Sequence, residues 1–199
     1  MSVPRDLFGP GSKKDRRVVT SYEELLGKVE SCRNLGWSIG LIQGTYDMLH
    51  EGHVRYLEKG KEQCDILIVG VDSDAKVKKS KGPSRPFVGE SERMEMLCHV
   101  RHVDLVFLKG VDDAKWQLIK QVKPDVLIAT EETYTVPERE ELKEWCKQLL
   151  VLPPQAATST TARIRTMLME THGKVLEKFD AFSAEFREFI TSLGMKGGK

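Results

Sequence analysis

Short apolar runs alternate with segments of helical spacing through the middle of the chain. Ile39-Gly40-Leu41-Ile42, Asp65–Val71, Asp104–Leu108, Asp125–Ala129 and Leu149–Leu152 read as strands. Between them, Val54–Gln63, Ser91–Val100, Ala114–Gln121 and Glu138–Gln148 read as helices. The run Ile66–Val71 has no polar alternation, the mark of a strand covered on both faces. Strands alternating with helices predict the α/β class: a parallel sheet with helices on both faces. Ligands of such sheets bind beyond the carboxyl ends of the strands, near the topological switch point.

The ends of the chain have different patterns. Ser21-Tyr22-Glu23-Glu24 is a capping-box pattern that opens a helix reaching about Asn34. Residues 1–17 are basic and contain Pro, Gly and Ser, and are expected to form a flexible arm. From Lys174 to Leu193, apolar residues recur at Val175, Leu176, Phe179, Phe182, Phe186, Phe189, Ile190 and Leu193, which is helical spacing. That tail packs on the domain or forms a dimer contact. The expected organisation is an arm over 1–17, a catalytic domain over 18–171 and a helical extension over 172–199.

Composition narrows the class. In 199 residues, 40% are hydrophobic and 31% charged, as in ordinary soluble proteins, and the formal net charge is +1. No global field draws nucleic acid, so anion binding has to be local. Cys32, Cys64, Cys98 and Cys146 form no CxxC pair and read as buried reduced thiols. No signal-peptide pattern and no membrane-spanning run is evident, and the expected location is cytoplasmic.

The densest chemistry lies where the first of these strands ends. Gln43 runs into Gly44-Thr45-Tyr46-Asp47, and His50-Glu51-Gly52-His53 stands at the start of the next helix. Gly44, lacking a Cβ, lets the backbone come close to a ligand. A helix N-terminus offers unpaired N–H groups and partial positive charge to an anion. His50 and His53, three residues apart, point to one side of the first turn. They read as metal ligands, as ordinary polar residues at a helix start, or as donors to phosphate oxygens. No third ligand is nearby and HEGH is not HExxH, which counts against the metal. The glycine-bearing strand-to-helix context favours phosphate.

Lys76, Lys78, Lys79, Lys81 and Arg85 cluster in a stretch broken by Gly82-Pro83. They read as a solvated loop or as a flexible basic lid over polyphosphate. Thr158-Ser159-Thr160-Thr161 follows the last strand, where hydroxyls cap a helix start. No P-loop GxxxxGK[ST] occurs, which disfavours a kinase.

Gly44-Thr45-Tyr46-Asp47-…-His50-Glu51-Gly52-His53 resembles the HxGH signature of the cytidylyltransferase-like nucleotidyltransferases. Asp72-Ser73-Asp74-…-Lys81-Gly82-Pro83-Ser84-Arg85-Pro86-…-Glu90-Ser91-Glu92-Arg93 is similar to one branch, the adenylyltransferase domain of the ADP-heptose synthases. Ser159-Thr160-Thr161-…-Ile164 resembles the family's STTxxI motif. Glycerol-3-phosphate cytidylyltransferases share the signature. The resemblance implies a Rossmann-like fold and transfer of a nucleotidyl group from a nucleoside triphosphate to a small phosphorylated substrate, with release of pyrophosphate. It implies that His50 and His53 stabilise the transition state at the α-phosphorus and that Lys81 and Arg93 contact phosphates. Gly44, Thr45, Tyr46, Asp47 and Gly52 would form the nucleotide loop, and Ser159, Thr160 and Thr161 would hold nucleotide phosphate. Mg²⁺ would arrive on the nucleotide, with no protein metal site. The expected partners are the two substrates and a second copy in a homodimer, with neither nucleic acid nor membrane.

The pattern departs from the family in two places. Ala129-Thr130-Glu131-Glu132-Thr133-Tyr134 replaces a Gly-rich turn, and Pro154-Gln155-Ala156 lacks an arginine found in relatives. The favoured reaction is ATP with a sugar 1-phosphate to give an ADP-sugar. CTP with a polyol phosphate, FAD synthesis, and a nucleotide-binding regulator without catalysis are the alternatives.

Overall fold

The computed structural model describes residues 13–153, 155 and 160–192; the side chains at 160–166, 169, 170, 172 and 192 are not among those described. The chain divides into two compact units, Met1–Ala157 and Thr158–Lys199. The first is built on six parallel strands: β1 Val18–Val19, β2 Ile39–Gly44, β3 Ile66–Asp72, β4 Leu105–Lys109, β5 Val126–Thr130 and β6 Gln148–Leu152. Their order is β1-β4-β3-β2-β5-β6. The chain lays β3 and β4 to one side of β2, then returns and lays β5 and β6 to the other. The switch point therefore falls between β2 and β5, and their carboxyl ends open the crevice where α/β sheets bind ligands.

Strand side chains alternate between two cores. Ile39, Leu41, Ile66, Ile68, Leu105 and Phe107 face helices α2 (Tyr22–Asn34), α6 (Gln117–Val122) and α7 (Val136–Leu142). Ile42, Leu67, Val69, Val71 and Val106 face α3 (Glu51–Lys61) and α5 (Glu90–Cys98). Each fully buried Leu or Ile contributes about 1.5–3 kcal/mol relative to exposure, so the sheet carries most of the hydrophobic stabilisation. This is the α/β parallel sheet expected from the alternation of elements, with the Rossmann-like arrangement that the resemblance implied.

Several elements differ from the sequence reading. Lys14–Arg17, placed in the arm, form a helical turn, α1, and β1 follows it onto β4. Lys14 pairs with Glu95, and Arg17 donates to the carbonyls of Val103 and Asp104. Residues 1–12 lie outside the described residues. The basic stretch expected as a loop or lid is largely a helix, α4 (Asp74–Lys81). Ser73 caps it by accepting from the Lys76 N–H at 3.3 Å, and Val77 is fully buried beneath it. One buried valine among lysines and an acid is too weak a period to read from sequence. Helix α7 ends at Leu142 because Trp145 and Cys146 turn back to pack on the core that feeds β6.

Among the described residues, the second unit is one helix, α8 (Thr160–Ser192), 33 residues long. It runs through the segment where the sequence placed both the STTxxI helix start and the boundary at 171/172. Among the described residues no helix is long and apolar enough to cross a membrane.

Candidate active site

The loop from β2 to α3 is folded by its own residues. Tyr46 and Met48 both adopt left-handed backbone, with φ of 56° and 57°. These two reversals tuck Asp47 inward, where it is 3% exposed. A Cβ on Gly44 would stand 3.0 Å from the Tyr46 ring, so the missing side chain makes room for that ring. The sequence offered ligand approach as the reason for Gly44; the geometry gives packing of Tyr46. Asp47 accepts from the N–H groups of Phe87 (3.0 Å) and Val88 (2.9 Å) and pairs with Arg85 at 2.9 Å. It thereby anchors the segment between α4 and α5 to the loop.

The two histidines cap α3. His50 is the N-cap, and its Nδ1 accepts from the Gly52 N–H at 3.2 Å. His53 Nδ1 accepts from the His50 N–H at 3.4 Å. The rings stack with centroids 3.9 Å apart. A neutral imidazole whose Nδ1 accepts carries its proton on Nε2, so both rings present an Nε2–H donor. The same engagement speaks against the metal reading, since neither Nδ1 can turn to an ion without breaking a cap. Among the described residues no group of three or more His, Cys, Asp or Glu is placed to hold a metal.

Burial, reinforced by the nearby charges of His50 and Lys81, lowers the His53 pKa from 6.5 to about 4. The unfolded chain therefore binds more protons than the folded one between these values. The stability that His53 contributes is complete above 6.5 and is lost as pH falls through about 4. Urea unfolding across this window should show stability rising with pH, and the slope should flatten in His53→Gln. An unchanged slope in the variant would remove His53 as its source.

Lys81, on the last turn of α4, donates to Thr45 Oγ1 at 3.0 Å, and Thr45 Oγ1 lies 3.5 Å from Asp72 Oδ2. The end of β2, the end of β3 and α4 thus meet at Thr45. Arg93 sits behind them rather than among them. It is 1% exposed, and its guanidinium donates to the carbonyls of Val88, Thr45 and Asp72 and to the Asp74 carboxylate. The resemblance implied a phosphate contact for Arg93. In the structure its donors are directed at the backbone of the strand ends, and it braces the loop that carries Thr45.

A cleft of about 620 Å³ opens at the carboxyl ends of the strands. Thr45 and Lys81 line one side, while Lys109, Asp113, Lys115, Trp116 and Tyr134 line the other. His50 and His53 are not among its lining residues; Lys81, which is, acts on His53 through its charge. Four lysines (Lys76, Lys81, Lys109 and Lys115) against Asp72 and Asp113 give the walls a cationic excess suited to anions. Lys109 ends β4, is 8% exposed, and pairs with Asp72 at 2.9 Å. Burial lowers its pKa, and Asp72 opposes that shift. Asp113 accepts from the Tyr22 hydroxyl and the Gly110 N–H, both at 3.0 Å. Trp116 has left-handed backbone, φ 61°, which turns its ring to the cleft wall, where Lys115 Nζ lies 4.0 Å from the ring centroid. Tyr134 accepts from Gln43 at 3.0 Å.

The sequence reading gave no role to Lys109, Asp113, Lys115 and Trp116. Only a lysine ending an apolar strand run hinted at the first of them. Ser159 lies outside the described residues. Thr160 and Thr161 begin α8, and their side chains are not described.

Comparison with known proteins places this geometry. A family model described as Cytidylyltransferase-like matches residues 41–172. The bifunctional protein HldE of Acidiphilium cryptum is 34% identical over 166 residues, which is 81% of this chain and 34% of that protein. HldE of Caulobacter vibrioides is 44% identical over 110 residues, 55% of this chain and 23% of that protein. The chain thus spans about a third or less of the length of these relatives. A lipopolysaccharide core biosynthesis protein from Thermoplasma volcanium shares the fold, with a TM-score of 0.51 at 24% identity, covering 59% of this chain and 97% of that one. Pantoate–β-alanine ligase of Francisella tularensis does so with a TM-score of 0.53 at 16% identity, covering 68% and 66%. With its HxGH histidines capping the helix after β2 and two thirds of its length matched, the chain belongs to the cytidylyltransferase-like family of nucleotidyltransferases.

Proposed function

We propose that the protein transfers an adenylyl group from ATP to a sugar 1-phosphate, giving an ADP-sugar and pyrophosphate. The observations that carry this reading are the two Nε2–H donors of His50 and His53 at the start of α3, with the charge of Lys81 felt at His53, and the Lys81–Thr45 contact at the edge of a lysine-lined cleft. A phosphate oxygen of the acceptor attacks the α-phosphorus, and the bond to the β-phosphate oxygen breaks in line. No protein nucleophile is required, and catalysis is positioning plus stabilisation of equatorial charge. His50 and His53 donate to the transferring phosphate, Lys81 neutralises it, and the Thr45 N–H lies beside it. Asp47 and Arg93 are positioning residues. Ser159, Thr160 and Thr161 are assigned to nucleotide phosphate on the strength of the family motif.

Mg²⁺ would enter on the triphosphate and supply charge neutralisation for its phosphates. The carboxylates in the cleft are already engaged, Asp72 by Lys109 and Asp113 by Tyr22 and Gly110, so they fit a nucleotide-borne ion better than a resident one.

The far side of the cleft suits the acceptor. Trp116 offers a flat ring for a sugar face, and Lys109 and Lys115 offer charge for its phosphate. The adenylyl preference rests on the similarity of the Asp72–Arg93 stretch to the ADP-heptose synthase branch and on the HldE relatives. A pyrophosphate-release screen crossing the four nucleoside triphosphates with phosphosugars, polyol phosphates and FMN tests the reading. ATP with a sugar 1-phosphate should give the highest kcat/KM; a clear preference for CTP would reject it. Lys115→Met should raise KM for the acceptor about 10-fold, the worth of one charge-assisted hydrogen bond, with KM for ATP unchanged. A rise in KM for ATP alone would reassign that wall to the nucleotide.

A further inference from the structure

Helix α8 presents an apolar stripe with a specific register. Val175, Phe179, Phe182, Phe186 and Phe189 follow one another at spacings of four, three, four and three, the alternation of d and a positions in a heptad. All five are more than half exposed. Leu176, 49% exposed, and Ile190 follow two of the d positions as e residues and widen the stripe. Lys174, Glu177, Asp180, Arg187 and Glu188 fall outside the stripe and form the polar back of the helix. The g positions carry Lys178 and Glu185, of opposite sign.

Those two charges select the partner and its direction. In a parallel pair each g residue faces the e residue of the next heptad, so Lys178 would face Ser183 and Glu185 would face Ile190, with no complementarity. In an antiparallel pair a layers meet d layers, and g meets g. With the two-fold axis between Asp180 and Ala181, Phe179 packs on Phe182 of the other helix and Phe186 packs on Val175. Lys178 then faces Glu185 on the other helix, and the symmetry makes the ion pair twice. A surface whose core layers and flanking charges both close under the same two-fold axis is self-complementary, as an isologous interface must be.

We propose that α8 is a homodimerisation element, and that it pairs with α8 of a second copy of this chain in antiparallel fashion, centred between Asp180 and Ala181. Val175, Phe179, Phe182 and Phe186 of each copy form the central layers, and two Lys178–Glu185 pairs fix the direction.

Sedimentation of the full chain over a range of concentrations tests this. The wild type should be a dimer, and the double variant Phe179→Ser, Phe182→Ser a monomer with unchanged far-UV helix signal from the sheet domain. Lys178→Glu places like charges opposite each other twice and should raise the dimer Kd about 10-fold, as should Glu185→Lys. Combining the two swaps restores both pairs and should return Kd to the wild-type value. Mixing the two single variants should give heterodimers in preference to either homodimer. A wild type that stays monomeric, as it would if the stripe packed on its own chain, overturns the proposal. So does a dimer that survives the phenylalanine substitutions, and so does a double swap that leaves Kd raised.

Discussion

Replacing His53 by alanine is expected to lower kcat by about 10²–10³, and replacing His50 to do the same, each change removing one preorganised donor to the transferring phosphate. KM for the nucleotide should move much less, because the charge of the triphosphate is met by Lys81 and by the helix end in the ground state as well. The histidines differ in one respect. His50 is the N-cap and His53 bonds back to the His50 N–H, so both alanines also remove a cap, worth about 1 kcal/mol of helix stability. Asparagine at position 50 keeps a cap acceptor while losing the ring. If the loss of kcat came from fraying of α3, His50→Asn would recover it. A donor role predicts that it does not. Near-wild-type turnover in either alanine variant would contradict the assignment outright.

The second large effect concerns stability. Arg93→Ala should lower the unfolding free energy by about 3–5 kcal/mol, the summed cost of leaving three part-buried carbonyls and the partly exposed Asp74 carboxylate without their donor. The carbonyls of Val88, Thr45 and Asp72, with the Asp74 carboxylate, are held by one guanidinium that is essentially inaccessible to solvent. Lysine cannot span these acceptors with a single ammonium, so Arg93→Lys should be destabilised nearly as much and should bind nucleotide weakly. Denaturant titration of both variants, with nucleotide affinity measured well below their unfolding midpoints, separates bracing from direct contact. If Arg93→Lys kept wild-type stability and lost only phosphate binding, the direct-contact role would be restored.

These effects show what the residues disclose and where disclosure stops. The sheet was legible because a parallel strand buried on both faces must be apolar throughout, and Ile66–Val71 and Val126–Ala129 satisfy that with few alternatives. The HxGH histidines were legible because a strand, a glycine and a helix start leave them one place to stand. Arg93 was legible as important but not in its direction, since the same side chain serves a phosphate or a set of carbonyls. Only packing decides which, and here Val88, Thr45 and Asp72 come from three separate segments. Trp116 was not legible at all. Its part in the cleft depends on a left-handed backbone at a residue type with no local preference for it. Helix α4 failed for the opposite reason, because its charged composition hid the single buried Val77.

The position of the Arg93 brace also bears on how such a protein can change. Its acceptors are the ends of β2 and β3 and the segments beside them, all on one side of the switch point. The loop after β5 lies on the other side, and its Tyr134 reaches across to Gln43 by one hydrogen bond. On the proposed reading, the side that handles phosphate is fixed by this brace, while the loop after β5 is held by bonds of its own, Thr133 to Thr130 and Arg139 to the carbonyls of Glu131 and Tyr134. Substitutions at the exposed Glu131 and Glu132 leave the brace untouched, so on that reading one scaffold can trade substrates while its chemistry stays the same.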